Sequence, residues 1–503
     1  MSTALSQRRS LMAASIARNR LSAPRVTSFA LSAVAPLTVS AGVVPTAIAT
    51  TGLVGLAVMF PAVAAVLAVF AVGYVAMVQR IPNGGAFYAL ITHGLGREAG
   101  VAAAFTAWFG YSCFAIPLLG AIGAGTGRLT QQWAGISAPW WVWALAAAAL
   151  AGVLGLLRLK SVTTVLGVLL IAECLVTLIY AVVFLVHPAE GQGSAALATL
   201  SPAKLIAPGM GAAIAIAVLS YVGFENPAAY SENVRDPRSV WRAIVVSLFT
   251  AAGIYLLVAF ALVVTVGPDK IVAVSAESGV DTVFSLAALH VPTFLVDAGL
   301  LLLITSMFAA HVSFRSICDR YQFSMAREGV MPAAFARVST RTGAPVTASL
   351  TTTALGVAVI ALCALTRADP ELTLFYRGVG LGGFVILTLL LGTSIAIPAY
   401  FSRHPDQAAQ VTRWQATTAP CLALFGLGYM TVEVLGNFDV VVVVPGDSPL
   451  RWILPATVLI PIVLGALWAR ILRARRPAVY QAIGLGADAV TARTPTDPTK
   501  ETV

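Results

Sequence analysis

The feature that most constrains this chain is a succession of unbroken apolar stretches, each about twenty residues long, the length that crosses a bilayer as a helix. Twelve such spans are read along the 503 residues, at 28–50, 53–78, 101–126, 139–158, 162–186, 207–230, 240–267, 291–322, 345–366, 374–399, 416–437 and 450–473. In lipid every backbone amide and carbonyl must find its partner within the protein, which leaves helices or closed barrels. A barrel would show segments of roughly ten residues with alternating polarity, and these runs do not alternate. Only 10% of the residues are charged, against roughly 25% in a soluble domain, too few to cover a water-facing surface. The predicted class is therefore an all-α integral membrane protein. An ordinary soluble enzyme, a disordered chain and a disulfide-knit secreted domain are excluded. The five cysteines, Cys113, Cys174, Cys318, Cys363 and Cys421, are scattered without metal-ligand spacing and read as small buried side chains.

Residues 1–24 are basic and polar, with Arg8, Arg9, Arg18 and Arg20, and lack the apolar core of a cleaved signal peptide. They read as a cytoplasmic tail. Residues 25–400 form the core of spans 1–10, residues 401–474 hold spans 11 and 12, and residues 475–503 read as a second cytoplasmic tail without fixed structure. With the N-terminus inside, 25 of the 31 Lys and Arg residues fall in inner loops and tails. That bias supports a multi-pass protein of the cell membrane with both termini cytoplasmic.

Two spans depart from the others. Span 1 reads Leu31-Ser-Ala-Val-Ala-Pro36-Leu-Thr38-Val-Ser40-Ala-Gly42, and span 6 reads Leu219-Ser220-Tyr221-Val222-Gly223-Phe224-Glu225-Asn226-Pro227. Each sets Pro, Gly and polar residues amid apolar sequence. Pro removes a helical hydrogen bond and Gly loosens the backbone. The plain reading of one such span is a packing kink. A matched pair five spans apart fits two inverted halves whose broken helices meet at a binding site. A half-helix N-terminus attracts a carboxylate and a half-helix C-terminus attracts an ammonium group, so crossed breaks suit a zwitterion. No basic residue lies within either break.

Acidic residues inside spans are few: Glu173 in span 5, Glu225 in span 6 and Glu433 in span 11, with Asp297 near the start of span 8. A charge at mid-membrane costs about 2.5–3.5 kcal/mol even on the lenient scale, so such a residue needs a partner, water or a proton. Glu225, directly after the span 6 break, is the first candidate for proton coupling and Glu173 the second. Glu433 and Asp297 sit near membrane edges. Hydroxyls such as Ser306 and Ser313 in span 8 keep sodium open as the coupling ion. Gly378-Val-Gly380-Leu-Gly382-Gly383 and Gly123-Ala-Gly125-Thr-Gly127 lie outside any βαβ setting and read as close helix packing rather than nucleotide binding. Trp108 and Tyr111 are candidate cavity residues of span 3. No nucleic-acid module is visible, and no nucleophile–base set or metal cluster that would make the chain an enzyme. A channel lacks a filter-like segment, and a sensor lacks a signalling domain.

Three stretches then carry a resemblance. Pro82-Asn-Gly84-Gly85-Ala-Phe-Tyr88 with Gly94-Leu-Gly96 follows span 2. Gly223-Phe224-Glu225, Glu232 and Asp236-Pro237 close span 6. Arg320-Tyr-Gln-Phe-Ser-Met-Ala-Arg327-Glu328-Gly329-Val-Met-Pro332, with Pro345, links spans 8 and 9. Over roughly residues 25–475 the chain resembles the amino acid–polyamine–organocation (APC) permeases. The resemblance implies the leucine-transporter-like (LeuT-like) fold, five plus five inverted helices with helices 1 and 6 discontinuous and two more appended. It implies an amino acid or related amine as substrate, alternating access, and driving by protons or by exchange, with no cofactor. By position, Pro36, Thr38, Val39 and Ser40 would hold the substrate's charged ends at the span 1 break. Ser220, Tyr221, Val222 and Gly223 would do so at the span 6 break, with Tyr221 as an aromatic gate. Two departures stand out. Thr38-Val39-Ser40 occupies the place of a Gly-small-Gly triplet, and span 5 carries Glu173 inside while its lysine, Lys160, precedes it.

Overall fold

The computed structural model describes residues 21–489. The basic residues Arg8, Arg9, Arg18 and Arg20, and residues 490–503 of the second tail, lie outside it. Among the described residues there are helices and two isolated β-bridges, and no extended sheet. Among the described residues, eleven segments are long and apolar enough to cross a membrane. Ten of them coincide with predicted spans, and the two remaining predicted spans appear as shorter apolar helices, Trp140–Gly155 and Met210–Leu219. The eleventh segment, Ile271–Ala288, was not predicted as a span. It is jointed, with a 3-10 turn at Gly279–Asp281 between the helices Ile271–Ser278 and Thr282–Ala288.

Span 3, Arg97–Ala134, is the central pillar. It packs against spans 4, 8, 10 and 12 and against the short helix Ala86–Leu95. Small residues let these neighbours in: a Cβ on Gly123 would sit 2.5 Å from the Trp140 carbonyl oxygen, and one on Gly382 would sit 2.9 Å from the Phe114 ring. Both predicted glycine strings thus serve close packing. Span 5, Leu159–Val186, shows the helical period directly. Val168, Ile171, Leu175 and Val182 are exposed, while Leu170, Glu173, Thr177 and Tyr180 face inward. From Val165 to Val186 every exposed residue is apolar, as a lipid solvent requires.

Residues 477–489 do not behave as the predicted loose tail. Helix Pro477–Gln481 packs on span 12, and the turn after it docks against Ala86–Leu95 and the end of span 8. Glu328, fully buried at that end, accepts hydrogen bonds from Asn83 Nδ2 at 3.0 Å, Gly484 N at 2.6 Å and Gly486 N at 2.9 Å, and from the Tyr88 hydroxyl. Arg97 donates to the Gln481 carbonyl at 3.2 Å, and His93 Nε2 lies 3.1 Å from the Gly484 carbonyl. A buried carboxylate demands donors, and two of the four come from this segment's backbone, which no side-chain pattern announces.

Candidate functional site

Span 1 breaks earlier than the sequence suggested. Helix Ala23–Val34 stops at Ala35, which takes left-handed geometry at φ 50° and ψ 71°. Pro36 disfavours right-handed helical geometry at the residue before it, so the bend falls ahead of the proline rather than within Thr38-Val39-Ser40. The chain resumes as one turn at Pro36–Thr38, a π turn at Val39–Val43 and the helix Val44–Thr51. Span 6 runs as a helix over Met210–Leu219, turns through Gly223 at φ 114°, and continues as a 3-10 helix over Asn226–Asn233.

The breaks touch. A Cβ on Gly223 would fall 2.6 Å from the Ala33 Cβ, so only glycine admits both the backbone turn and the contact. Tyr255 of span 7 joins them, its hydroxyl 2.9 Å from the Val34 carbonyl and 3.4 Å from the Ser220 carbonyl. A helix interruption leaves carbonyls without partners, and this hydroxyl serves one from each side. Nothing in the sequence around Tyr255 marks that role.

Above the breaks lies a cavity of about 810 Å³. It runs from Ala33, Val34 and Ala35 past Thr46 and Thr50 to the exposed Pro445, toward the face at the C-terminal end of span 1. Of the residues proposed to hold substrate, Thr38, Val39, Ser220 and Val222 line it. Pro36, Ser40, Tyr221 and Gly223 do not line it. The Tyr221 hydroxyl donates to the Phe60 carbonyl at 2.9 Å, and its ring packs beside Tyr255, so the side chain is directed away from the cavity. Along the turn, Ser220 and Val222 face the cavity and the side chain between them points away. Trp108 and Tyr111 do not line the cavity either. Span 3 contributes Phe114 and Leu118 instead, roughly one and two turns further along the helix. Gly279 and Val280 of the jointed segment, and Asp439 with Val440 from the loop after span 11, complete the wall. These connecting residues carry no motif.

Glu173 and Glu225 are buried behind the breaks, outside the cavity lining. The Glu225 carboxylate accepts from the Gly223 amide at 2.9 Å and from the Tyr111 hydroxyl at 2.8 Å. It closes the turn that its own residue follows. Glu173 faces the Leu37 amide and the Ser306 hydroxyl without a well-formed bond to either. Ser306 instead accepts from the Thr38 hydroxyl at 3.1 Å. His311 is held by the Ala115 carbonyl at 2.7 Å.

The opposite face is sealed. Arg327 donates to both Glu232 oxygens at 2.8 and 2.6 Å, and the Gly84 amide adds a third bond at 3.2 Å. Burial by itself would raise the Glu232 carboxyl; the Arg327 charge and these bonds outweigh it and hold the group below its usual range. Arg320 donates to the Asn233 side chain at 2.8 Å and lies 3.9 Å over the Tyr230 ring. Leu21 pairs its amide with the Asn233 carbonyl at 2.7 Å. The three stretches that carried the family resemblance thus meet in one plug.

A profile described as "Amino acid permease" matches residues 21–464. A protein named cationic amino acid transporter 3, mitochondrial, from Arabidopsis thaliana is 26% identical over 49% of this chain and 38% of its own length. One named cationic amino acid transporter 2, vacuolar, from the same plant is 28% identical over 40% of this chain and 29% of its own. Cationic amino acid transporter 4 of Homo sapiens is 28% identical over 46% of this chain and 35% of its own. The matched stretches therefore span less than half of these relatives.

Proposed function

Because the chain belongs to the amino acid permease family, we propose that it is a secondary transporter that moves an amino acid or related amine by alternating access, with protons driving uptake. The observation that carries this reading is the meeting of two interrupted helices at a cavity open toward one face and plugged toward the other. A zwitterion seated there has its carboxylate beside the amides that begin one half-helix and its ammonium group beside the carbonyls that end another. Thr38 and Ser220 supply hydroxyls at the two breaks. Spans 1–5 and 6–10 act as inverted halves that rock against each other, with spans 11 and 12 appended. The basic-residue bias supports a setting in the cell membrane with both termini in the cytoplasm.

Glu225 and Glu173 carry the proton in this reading. Each is buried directly behind a break, so closing and opening the breaks changes its access to water. Neither role needs a metal or organic cofactor. The test is uptake of labelled amino acids into liposomes under an inward proton gradient. Accumulation that vanishes when the gradient is collapsed supports coupling. Strong counterflow with no gradient dependence would replace proton-driven uptake with exchange. Glu225→Gln is expected to abolish the pH dependence of uptake while leaving protein abundance near normal. Unchanged pH dependence in that variant would remove Glu225 from the mechanism.

A further inference from the structure

The cavity wall is the least expected part of the molecule, given the names of its relatives. We propose that the site selects amino acids with uncharged, apolar side chains and rejects cationic ones. This rests on the transport reading above. Around the breaks the wall is built by Val39, Phe114, Leu118, Ile216, Val222 and Phe314. The polar groups at the breaks are the hydroxyls of Thr38 and Ser220, where the substrate's charged ends would lie, and Thr46, Thr50 and Tyr376 add uncharged hydroxyls along the wall.

A lysine or arginine side chain entering this space must leave water, and it repays that loss only against a carboxylate or a dense set of acceptors. The one acid that lines the cavity and the two buried behind its breaks are each withheld. Glu225 is occupied by the Gly223 amide and the Tyr111 hydroxyl. Glu173 is 1% exposed and lies behind the Thr38–Ser306 pair. Asp439 does line the cavity, but at its mouth, where Arg451 sits 3.5 Å away and has claimed its charge. Size gives no barrier, since about 810 Å³ would admit either basic side chain. Charge is what excludes them. An apolar side chain meets a wall of its own kind and releases the water held there.

The test uses the purified full chain in liposomes loaded with unlabelled leucine, with labelled leucine outside. Leucine and phenylalanine should compete with the label, whereas lysine, arginine and ornithine should fail to compete at tenfold higher concentration. Competition by a cationic amino acid at concentrations equal to leucine would overturn the selectivity and leave the transport reading standing. No leucine counterflow, with labelled lysine exchanging into lysine-loaded liposomes, would likewise overturn only the selectivity; no counterflow with either label would overturn both. A second arm restores the missing charge. Ile216→Asp places a carboxylate on the wall and should admit labelled lysine or ornithine while weakening leucine at least tenfold. The wild-type competition decides the proposal even where that variant fails to fold.

Discussion

In span 1 a proline bends the chain by acting on the residue before it, whereas in span 6 a glycine bends the chain by adopting the turn itself. The difference extends to what holds each bend. Span 6 closes its turn locally, with Glu225 reaching back two residues to the Gly223 amide. Span 1 is held from outside: Tyr255 takes the Val34 carbonyl, Ser306 takes the Thr38 hydroxyl, and Glu173 faces the Leu37 amide from another span. Ala35 adopts left-handed geometry without being glycine, at a cost of about 1–2 kcal/mol that its surroundings must cover. One interruption therefore has a closing bond within its own segment, and the other is fixed in place by its neighbours. A locally closed turn keeps its shape as the helices around it move. A turn held from outside changes when they do.

The contrast can be broken at Gly223 with the largest expected effect. Gly223→Val would set a branched side chain at φ 114° and drive it into Ala33, and uptake should fall well beyond tenfold. Wild-type uptake by that variant would mean that the breaks do not touch in the working transporter. The paired glutamates come next. Glu173→Gln should cut gradient-driven uptake by roughly tenfold, the size of about 1.4 kcal/mol, while counterflow persists. Equal loss of counterflow would make Glu173 a packing residue and nothing more. Tyr255→Phe removes one hydroxyl from both breaks and should cost about 1–3 kcal/mol, read as a lower thermal midpoint and a few-fold slower uptake. If the midpoint does not move, the freed carbonyls find other donors. The smallest effect is expected at Ala35→Gly, which relieves the left-handed strain by up to about 1 kcal/mol and should raise the midpoint slightly, net of glycine's greater freedom in the unfolded chain. A drop would show that Ala35 contributes packing that outweighs its strain.

Much of this was legible in the residues. Apolar length located the spans, Pro36 and Gly223 marked the two interruptions, and a lone acid after a break drew attention to Glu225. These are local signals. What escaped notice depends on contacts between distant segments. The bend at Ala35 was misplaced by a few residues because Pro36 was read as the break itself, when its steric effect falls on its predecessor. Tyr255 looked like one aromatic among many in an apolar span. Which side Tyr221 faces depends on the turn at Gly223, which periodicity does not fix. Gly279, Val280 and Asp439 reach the cavity from connecting segments whose path only the assembled fold decides. The docking of residues 477–489 was missed because its donors are backbone amides, which every residue type carries.

That docked segment has a mechanical meaning. Glu328 works like the staple of a hasp, with Ala86–Leu95 on one side and the turn at Gly484–Gly486 folded over it. Any swing that parts Ala86–Leu95 from the foot of span 8 must first unfasten Asn83 and Tyr88 from that carboxylate, and the turn shares the same anchor. Tension applied beyond residue 489 is thereby delivered straight to the floor of the transporter, with no long lever in between.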